Sequence, residues 1–283
     1  MTINITGVDY SILSLLGRYK YLTAELLILA ECTGKYSYIE KKRLPRLSEG
    51  IRPYILKKKR YKKNGEEHIY ALSERGARYI SEIESVNVET IHYVKGKEIK
   101  IGYTANHILK CAEFQTRFRR WLKGWNGSIE IYQTDLEKLK KKRERKSGFD
   151  LIPKNRIYIA KDKKIEPDAI IKYKIKENVY LLALEIEIDK NKQDIIEAIK
   201  NHMLSLNHAY ISKKFDYNKS NHVLYVFDKK GQLENVKEEI LKIKNFEKFR
   251  QFFIFNSIKQ TQKEFCQGWH YANNIEVGIF KKS

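Results

Sequence analysis

The stretch Leu182-Ala183-Leu184-Glu185-Ile186-Glu187-Ile188-Asp189 decides how the second half of the chain folds. Apolar and acidic residues alternate in it, and along a β-strand residues two apart face the same way. Glu185, Glu187 and Asp189 therefore share one face, and Leu184, Ile186 and Ile188 the other. Like charges on one partly buried face are costly unless a cation or a basic ligand neutralises them. Upstream, Glu166-Pro167-Asp168-Ala169-Ile170-Ile171 opens a neighbouring strand whose Asp168 can aim at the same place. Carboxylates converging from strands suit Mg²⁺ or Mn²⁺, which take hard oxygen ligands. Such an ion can activate water against a phosphodiester and stabilise the leaving oxygen.

The elements around this stretch alternate. Helices are expected over residues 106–122, 191–206 and 233–243. Strands are expected over residues 128–133, 156–160, 169–174, 180–188, 222–227 and 251–255, with a weaker one at 275–280. That alternation reads as an α/β domain over residues 106–283.

The first 80 residues follow another pattern. Apolar residues at helical spacing mark a helix over residues 10–22. Thr23 caps a second, residues 24–31, and Ser37 a third, residues 38–49, which contains Pro45. Two strand-like runs, residues 54–61 and 68–72, flank Lys63-Asn64-Gly65-Glu66, and Asn-Gly between such runs signals a hairpin. Ser73 caps a last helix, residues 74–80. Three helices, a hairpin and a helix is the order of a winged helix-turn-helix, here residues 1–80. Residues 81–105 read as a polar connector with a short strand at 90–93. The predicted fold is thus an α+β winged helix-turn-helix followed by an α/β domain.

In a helix-turn-helix the second helix of the motif enters the major groove. Here it carries Lys41, Lys42, Arg43 and Arg46. Arg can read guanine bidentately, whereas Lys mostly contacts phosphate. The hairpin adds Lys58, Lys59, Arg60, Lys62 and Lys63, a basic wing able to grip phosphates beside the groove. The expected partner is double-stranded DNA. The run Lys138–Lys146 is a second basic segment, read as a loop along a phosphate backbone or a solvated linker.

Composition agrees with a polyanionic partner. The 283 residues carry 56 Lys plus Arg against 35 Asp plus Glu, a formal net charge of +21. Lys, Ile, Asn and Tyr are abundant throughout, so element order weighs more than charge. No apolar run reaches the roughly 20 residues of a membrane span, and no signal peptide is visible. Cys32, Cys111 and Cys266 have no zinc-ligand spacing. The expected location is cytoplasmic. No phosphate-cradling Gly-rich loop is present, which argues against an ATPase.

The acidic strands resemble the PD-(D/E)xK nucleases, which have a restriction-endonuclease-like core. The carriers are a helix with Glu113, a strand with Pro167-Asp168, and a strand with Glu185-Ile186-Glu187 leading into a helix. The resemblance implies an Mg²⁺-dependent endodeoxyribonuclease with Asp168 and Glu185 as metal ligands, joined by Glu113, and Glu187 as an auxiliary group. Glu187 stands where that family has a water-positioning Lys. Lys172, on the strand parity of Asp168, and Lys200, on the following helix, are the candidates to replace it. The whole chain, from about Tyr10 to Phe255, also resembles the replication-relaxation family of plasmid and mobile-element proteins. The residues are the winged helix, Asn106-His107-Ile108-Leu109, the Pro-Asp strand, Glu187-Ile188-Asp189 and Lys200. That implies a role in plasmid replication, relaxation or mobilisation. The alternative is a non-catalytic winged-helix regulator or replication initiator whose second domain mediates homodimerisation or partner binding.

Overall fold

The computed structural model describes residues 4–62, 65–96, 98–99, 102–142, 149–161, 163–278 and 280; the side chains of 62, 138–142 and 149–151 are outside the description. The chain is mixed α+β and divides into two compact units, Met1–Arg117 and Phe118–Ser283.

In the first unit, α1 (Gly7–Tyr19) begins at a reciprocal cap. Thr6 Oγ1 accepts from the Asp9 amide, and Asp9 Oδ2 accepts from the Thr6 amide at 2.9 Å. The helix therefore starts three residues earlier than apolar spacing alone predicts. Thr23 caps α2 (Ala24–Leu29) as expected, accepting from Leu26 N–H at 3.2 Å. The third helical segment starts at α3 (Tyr36–Tyr38), passes through a π turn (Ile39–Arg43) and ends in α4 (Leu44–Ser48). Pro45 explains the π turn. Proline lacks the N–H of an α-helical bond and crowds the carbonyl four residues back. The Leu44 N–H reaches five residues back to the Ile39 carbonyl, which widens the turn ahead of the ring.

Strands β1 (Ile55–Lys62) and β2 (Gly65–Leu72) pair antiparallel from Ile55↔Leu72 to Lys62↔Gly65. Lys63 and Asn64, the centre of the expected Asn-Gly turn, lie outside the described residues. Leu22 bridges Tyr70 and adds one residue to the sheet. Ser73 caps α5 (Glu74–Glu84) by accepting from Gly76 N–H. Ile12, Leu16, Leu27, Leu44, Leu47, Ile55, Leu72 and Ile80 form one core. The expected strand at residues 90–93 does not form: Val88–Thr90 is a 3-10 turn, and His92 and Val94 bond to the carbonyls of Gly17 and Leu72. Ile91, Val94 and Ile99 are buried, so much of the expected connector packs into the first unit. Helix α6 (Tyr103–Lys123) follows.

The second unit is built on a five-stranded mixed sheet. Its strands are β3 (Ser128–Thr134), β8 (Ala169–Ile175), β9 (Asn178–Glu187), β10 (His222–Phe227) and β11 (Phe253–Ser257), in the order β11-β10-β9-β8-β3. β9 pairs antiparallel with β8 and parallel with β10. Two hairpins are separate from this sheet: β4 (Lys138–Lys142) with β5 (Phe149–Pro153), and β6 (Ile157–Ala160) with β7 (Lys163–Ile165). The described part of the basic run is thus a strand, and residues 143–146 lie outside the description.

Helices α7 (Lys192–His208) and α9 (Lys230–Ile240) cover one sheet face, where Ile195, Ile199, Val236 and Ile240 meet Ala183, Tyr225, Phe227 and Phe255. α8 (Tyr210–Lys214) follows α7 directly. On the other face Phe118 and Trp121 meet Tyr173, and Phe280 sits edge-on to Trp121 at 4.8 Å. The tail runs through α10 (Ile258–Lys263), and among the described residues of the expected strand at 275–280 no strand forms; the isolated bridges Phe255↔His270 and His270↔Glu276 stand there instead. Burying each large side chain of these layers contributes about 1.5–3 kcal/mol.

Candidate functional site

β9 is the central strand, so its alternation acts in the interior. Glu185 and Glu187 lie on the face covered by α7, and both are buried, Glu187 to 2% exposure. The register sets Ala169 opposite Leu184, which brings Asp168, one residue before β8, level with Glu185. Asp168 Oδ2 accepts from the Ile186 amide at 2.6 Å. The turn that leaves β9 ends at Asn191, which caps α7. That turn returns Lys190 to the strand end, with Nζ 3.3 Å from Glu187 Oε1.

Two further side chains close the site. His202, on α7, is 1% exposed and its Nε2 lies 2.8 Å from Glu185 Oε1. Tyr225 stands beside Glu185 in the β9–β10 register and is fully buried. Its hydroxyl and His202 Nδ1 have no hydrogen-bond partner among the described residues.

Crowding shifts the titration of these groups. Burial pushes Glu187 up to about 7; Lys190 opposes the shift, while Glu185 and Asp168 add to it. Burial works against the Lys190 charge, but Glu185, Glu187 and Asp168 outweigh it and hold the ammonium above its usual value. Burial takes His202 down to about 3, with Lys190 adding to the fall, so its ring is neutral and Nε2–H donates to Glu185. Burial, with the three carboxylates, raises Tyr225 well above the ordinary phenol value. Strongly perturbed groups gathered around one spot mark a functional-site candidate.

The expected lysines lie elsewhere. Lys172 is four residues along β8, roughly 13 Å from Asp168 at strand rise. Its Nζ donates to the carbonyls of Phe215 and Asp216, both at 3.2 Å, and lies 3.6 Å from Glu130. Lys200 precedes His202 by two residues, about 200° around the helix, and sits on the surface near Glu197 at 4.0 Å. Neither stands at the carboxylates; among the described residues Lys190 brings an ammonium there. Asp189 leaves the strand and pairs with Lys229 at 2.7 Å. Glu113 belongs to the first unit, on α6, where Arg117 and Lys110 engage it at 3.0 and 3.9 Å. His202 carries a signal in the sequence: it falls in the apolar stripe Ile195, Ile199, Met203, Leu206, where imidazole is out of place.

In the first unit the basic residues separate into two sets. Lys41 and Lys42 are exposed on the π turn, as are Lys35 and Tyr38 one turn earlier. Arg43, expected on the same surface, is buried against Asp9, with Nε 2.7 Å from Oδ1. Helical spacing gave Arg43 a groove-facing place, but a buried Asp9 draws its guanidinium inward. Arg46 is partly exposed and donates to the Asn4 carbonyl, 3.7 Å from Asp9 Oδ2. On the hairpin Lys58 pairs with Glu98, Lys59 with Glu66, and Arg60 with Glu67 at 2.5 Å. Lys62 ends β1, and Lys63 lies outside the described residues. A pocket of about 320 Å³ is lined by Glu25, Glu40, Glu66 and Glu67. Its acidity repels phosphate and leaves Lys41 and Lys42 as the prominent cations of the helix. Among the described residues no helix is long and apolar enough to cross a membrane. No protein-family model, no curated protein and no solved structure matches the chain.

Proposed function

We propose that this chain binds duplex DNA through its first unit, as a winged helix-turn-helix, and hydrolyses phosphodiester bonds in its second, with a PD-(D/E)xK-like site. The observation that carries the reading is the meeting of Asp168, Glu185, Glu187 and Lys190 at one end of β8 and β9. Asp168 and Glu185 would hold Mg²⁺ or Mn²⁺. The donor set fits a hard cation: the carboxylates lie beside Tyr225, whose buried hydroxyl has no hydrogen-bond partner among the described residues. Buried polar atoms of that kind call for a polar occupant. When bound, the ion supplies a water acidic enough to attack near neutral pH and offsets charge developing on the phosphoryl oxygens. Lys190 offers the ammonium that the strand itself lacks, and Glu187, poised near 7, can hold or release a proton at working pH. The role in plasmid replication, relaxation or mobilisation rests on the resemblance of the whole chain.

The test is conversion of supercoiled plasmid to nicked or linear forms in Mg²⁺ or Mn²⁺. Asp168→Ala should abolish it, and activity indifferent to that change sinks the assignment. A second reading has its own support: Glu185 and Glu187 are both engaged by protein partners, His202 and Lys190. A satisfied buried network can serve stability alone. The chain would then be a non-catalytic regulator or initiator, and duplex binding without metal-dependent cleavage would favour that reading.

A further inference from the structure

Helix α7 places His202 in its buried stripe, between Ile199 and Met203, with the smaller Ser205 the other polar side chain it buries. Burying imidazole among aliphatic residues costs free energy unless its nitrogens are satisfied. Nε2 bonds Glu185, while the buried Nδ1 has no hydrogen-bond partner among the described residues. Ile195, Ile199, Met203 and Leu206 share the stripe, where Leu would fit, and the Tyr225 ring stands 6.2 Å away. The imidazole is tied to the carboxylate next to Asp168.

We infer that His202 is a positioning residue that fixes the Glu185 carboxylate for a divalent cation. This rests on the cation-site reading above. A glutamate side chain has three rotatable bonds, and each alternative rotamer lowers the fraction of chains ready to bind. The 2.8 Å bond from a helix packed in the core removes that freedom at Glu185. Outer hydrogen bonds of this type commonly set metal affinity by a factor of about 10–100. Lys190 holds Glu187 from the turn before α7, whereas His202 holds Glu185 from within the helix. Glu185 is thereby the carboxylate whose geometry is fixed in advance.

Mn²⁺ titration of the full chain by calorimetry tests this, with no need for cleavage. His202→Leu keeps the apolar volume and removes the donor; His202→Gln keeps a donor. Thermal melts of both variants establish that they fold. His202→Leu should weaken Mn²⁺ binding about 10–100-fold, and His202→Gln should recover much of the loss. Equal affinity for wild type and His202→Leu overturns the inference while leaving the cation site standing, provided Asp168→Asn still abolishes binding. Loss in both variants without rescue by Gln overturns it as well, because the donor is then not what matters. Wild-type Mn²⁺ binding that is absent, or indifferent to Asp168→Asn, overturns the cation site itself and the role of His202 with it.

Discussion

Arg43 Nε lies 2.7 Å from Asp9 Oδ1, across 34 residues of sequence, and both side chains are sealed from solvent. Asp9 also completes the cap of α1, and the Arg43 guanidinium reaches the Tyr38 hydroxyl at 3.3 Å. One carboxylate thus ties the start of α1 to the π turn. Removing a single partner of such a pair strands a buried charge and costs about 3–5 kcal/mol. Arg43→Ala should therefore lower the urea midpoint of the first unit. The double change Asp9→Leu with Arg43→Met should recover part of the loss, because no charge is left behind. Burial acts to raise the Asp9 pKa, but the Arg43 and Thr6 hydrogen bonds outweigh it and hold it below 3.8. The stability from this pair is present above that value and disappears as pH falls through the folded pKa. Wild type should lose first-unit stability in acid more steeply than the double variant, as followed by circular dichroism.

Lys41 and Lys42 are the exposed cations of the helical segment, while Arg60 is committed to Glu67. Each phosphate contact contributes about −0.9 to the slope of log K against log salt. Lys41→Ala with Lys42→Ala should flatten that slope by about 1.8 and weaken duplex binding at low salt. Arg60→Ala should change it little. Fluorescence anisotropy with a labelled duplex across a salt series measures both. An unchanged slope in the double lysine variant would move the DNA surface away from this helix.

These two sets of residues mark what the sequence made legible. Elements were visible because each is written locally: Thr23 and Ser73 before helical runs, and the alternation at Leu184–Ile188. Glu185 and Asp168 were visible because strand parity and pairing put them level. Arg43 was not, because its fate depends on Asp9, 34 residues away, and nothing in the spacing of residues 41–46 separates an inward arginine from an outward one. Lys190 was not, because it follows neither strand parity nor helix periodicity: it occupies the turn between β9 and α7. The buried His202 was visible only as an irregularity in an apolar stripe.

The acidic site makes opposing demands on pH. Glu187 has a folded pKa of about 7 against an ordinary 4.5, so its contribution is full below 4.5 and is lost as pH rises through 7. His202 has a folded pKa of about 3 against 6.5, so its contribution is full above 6.5 and is lost as pH falls through 3. Each slope is at most about 1.4 kcal/mol per pH unit. Between 4.5 and 6.5 the two run in opposite directions and offset one another in the wild type. Glu187→Gln should leave a second unit that gains stability as pH rises over this range, and His202→Gln one that loses it. Chemical denaturation at pH 4.5, 5.5 and 6.5 reads the slopes. Identical slopes in the two variants would be inconsistent with the shifts.

Lys190 decides whether the site can act without a lysine on the strand. Its ammonium faces Glu187 at 3.3 Å and is held charged by three carboxylates. Lys172 and Lys200 are engaged elsewhere. If the second unit cleaves DNA, Lys190→Ala should reduce the single-turnover rate on plasmid about 100-fold or more. Lys190→Arg, which keeps the charge but not its shape, should give an intermediate rate. Lys200→Ala should match wild type. Loss of the lysine also removes a cation that opposes the rise of Glu187, so the proton on that carboxylate should be held to higher pH. The pH–rate profile of any residual activity should therefore shift upward. A Lys190→Ala variant with wild-type rate and profile would exclude Lys190 from the proposed chemistry.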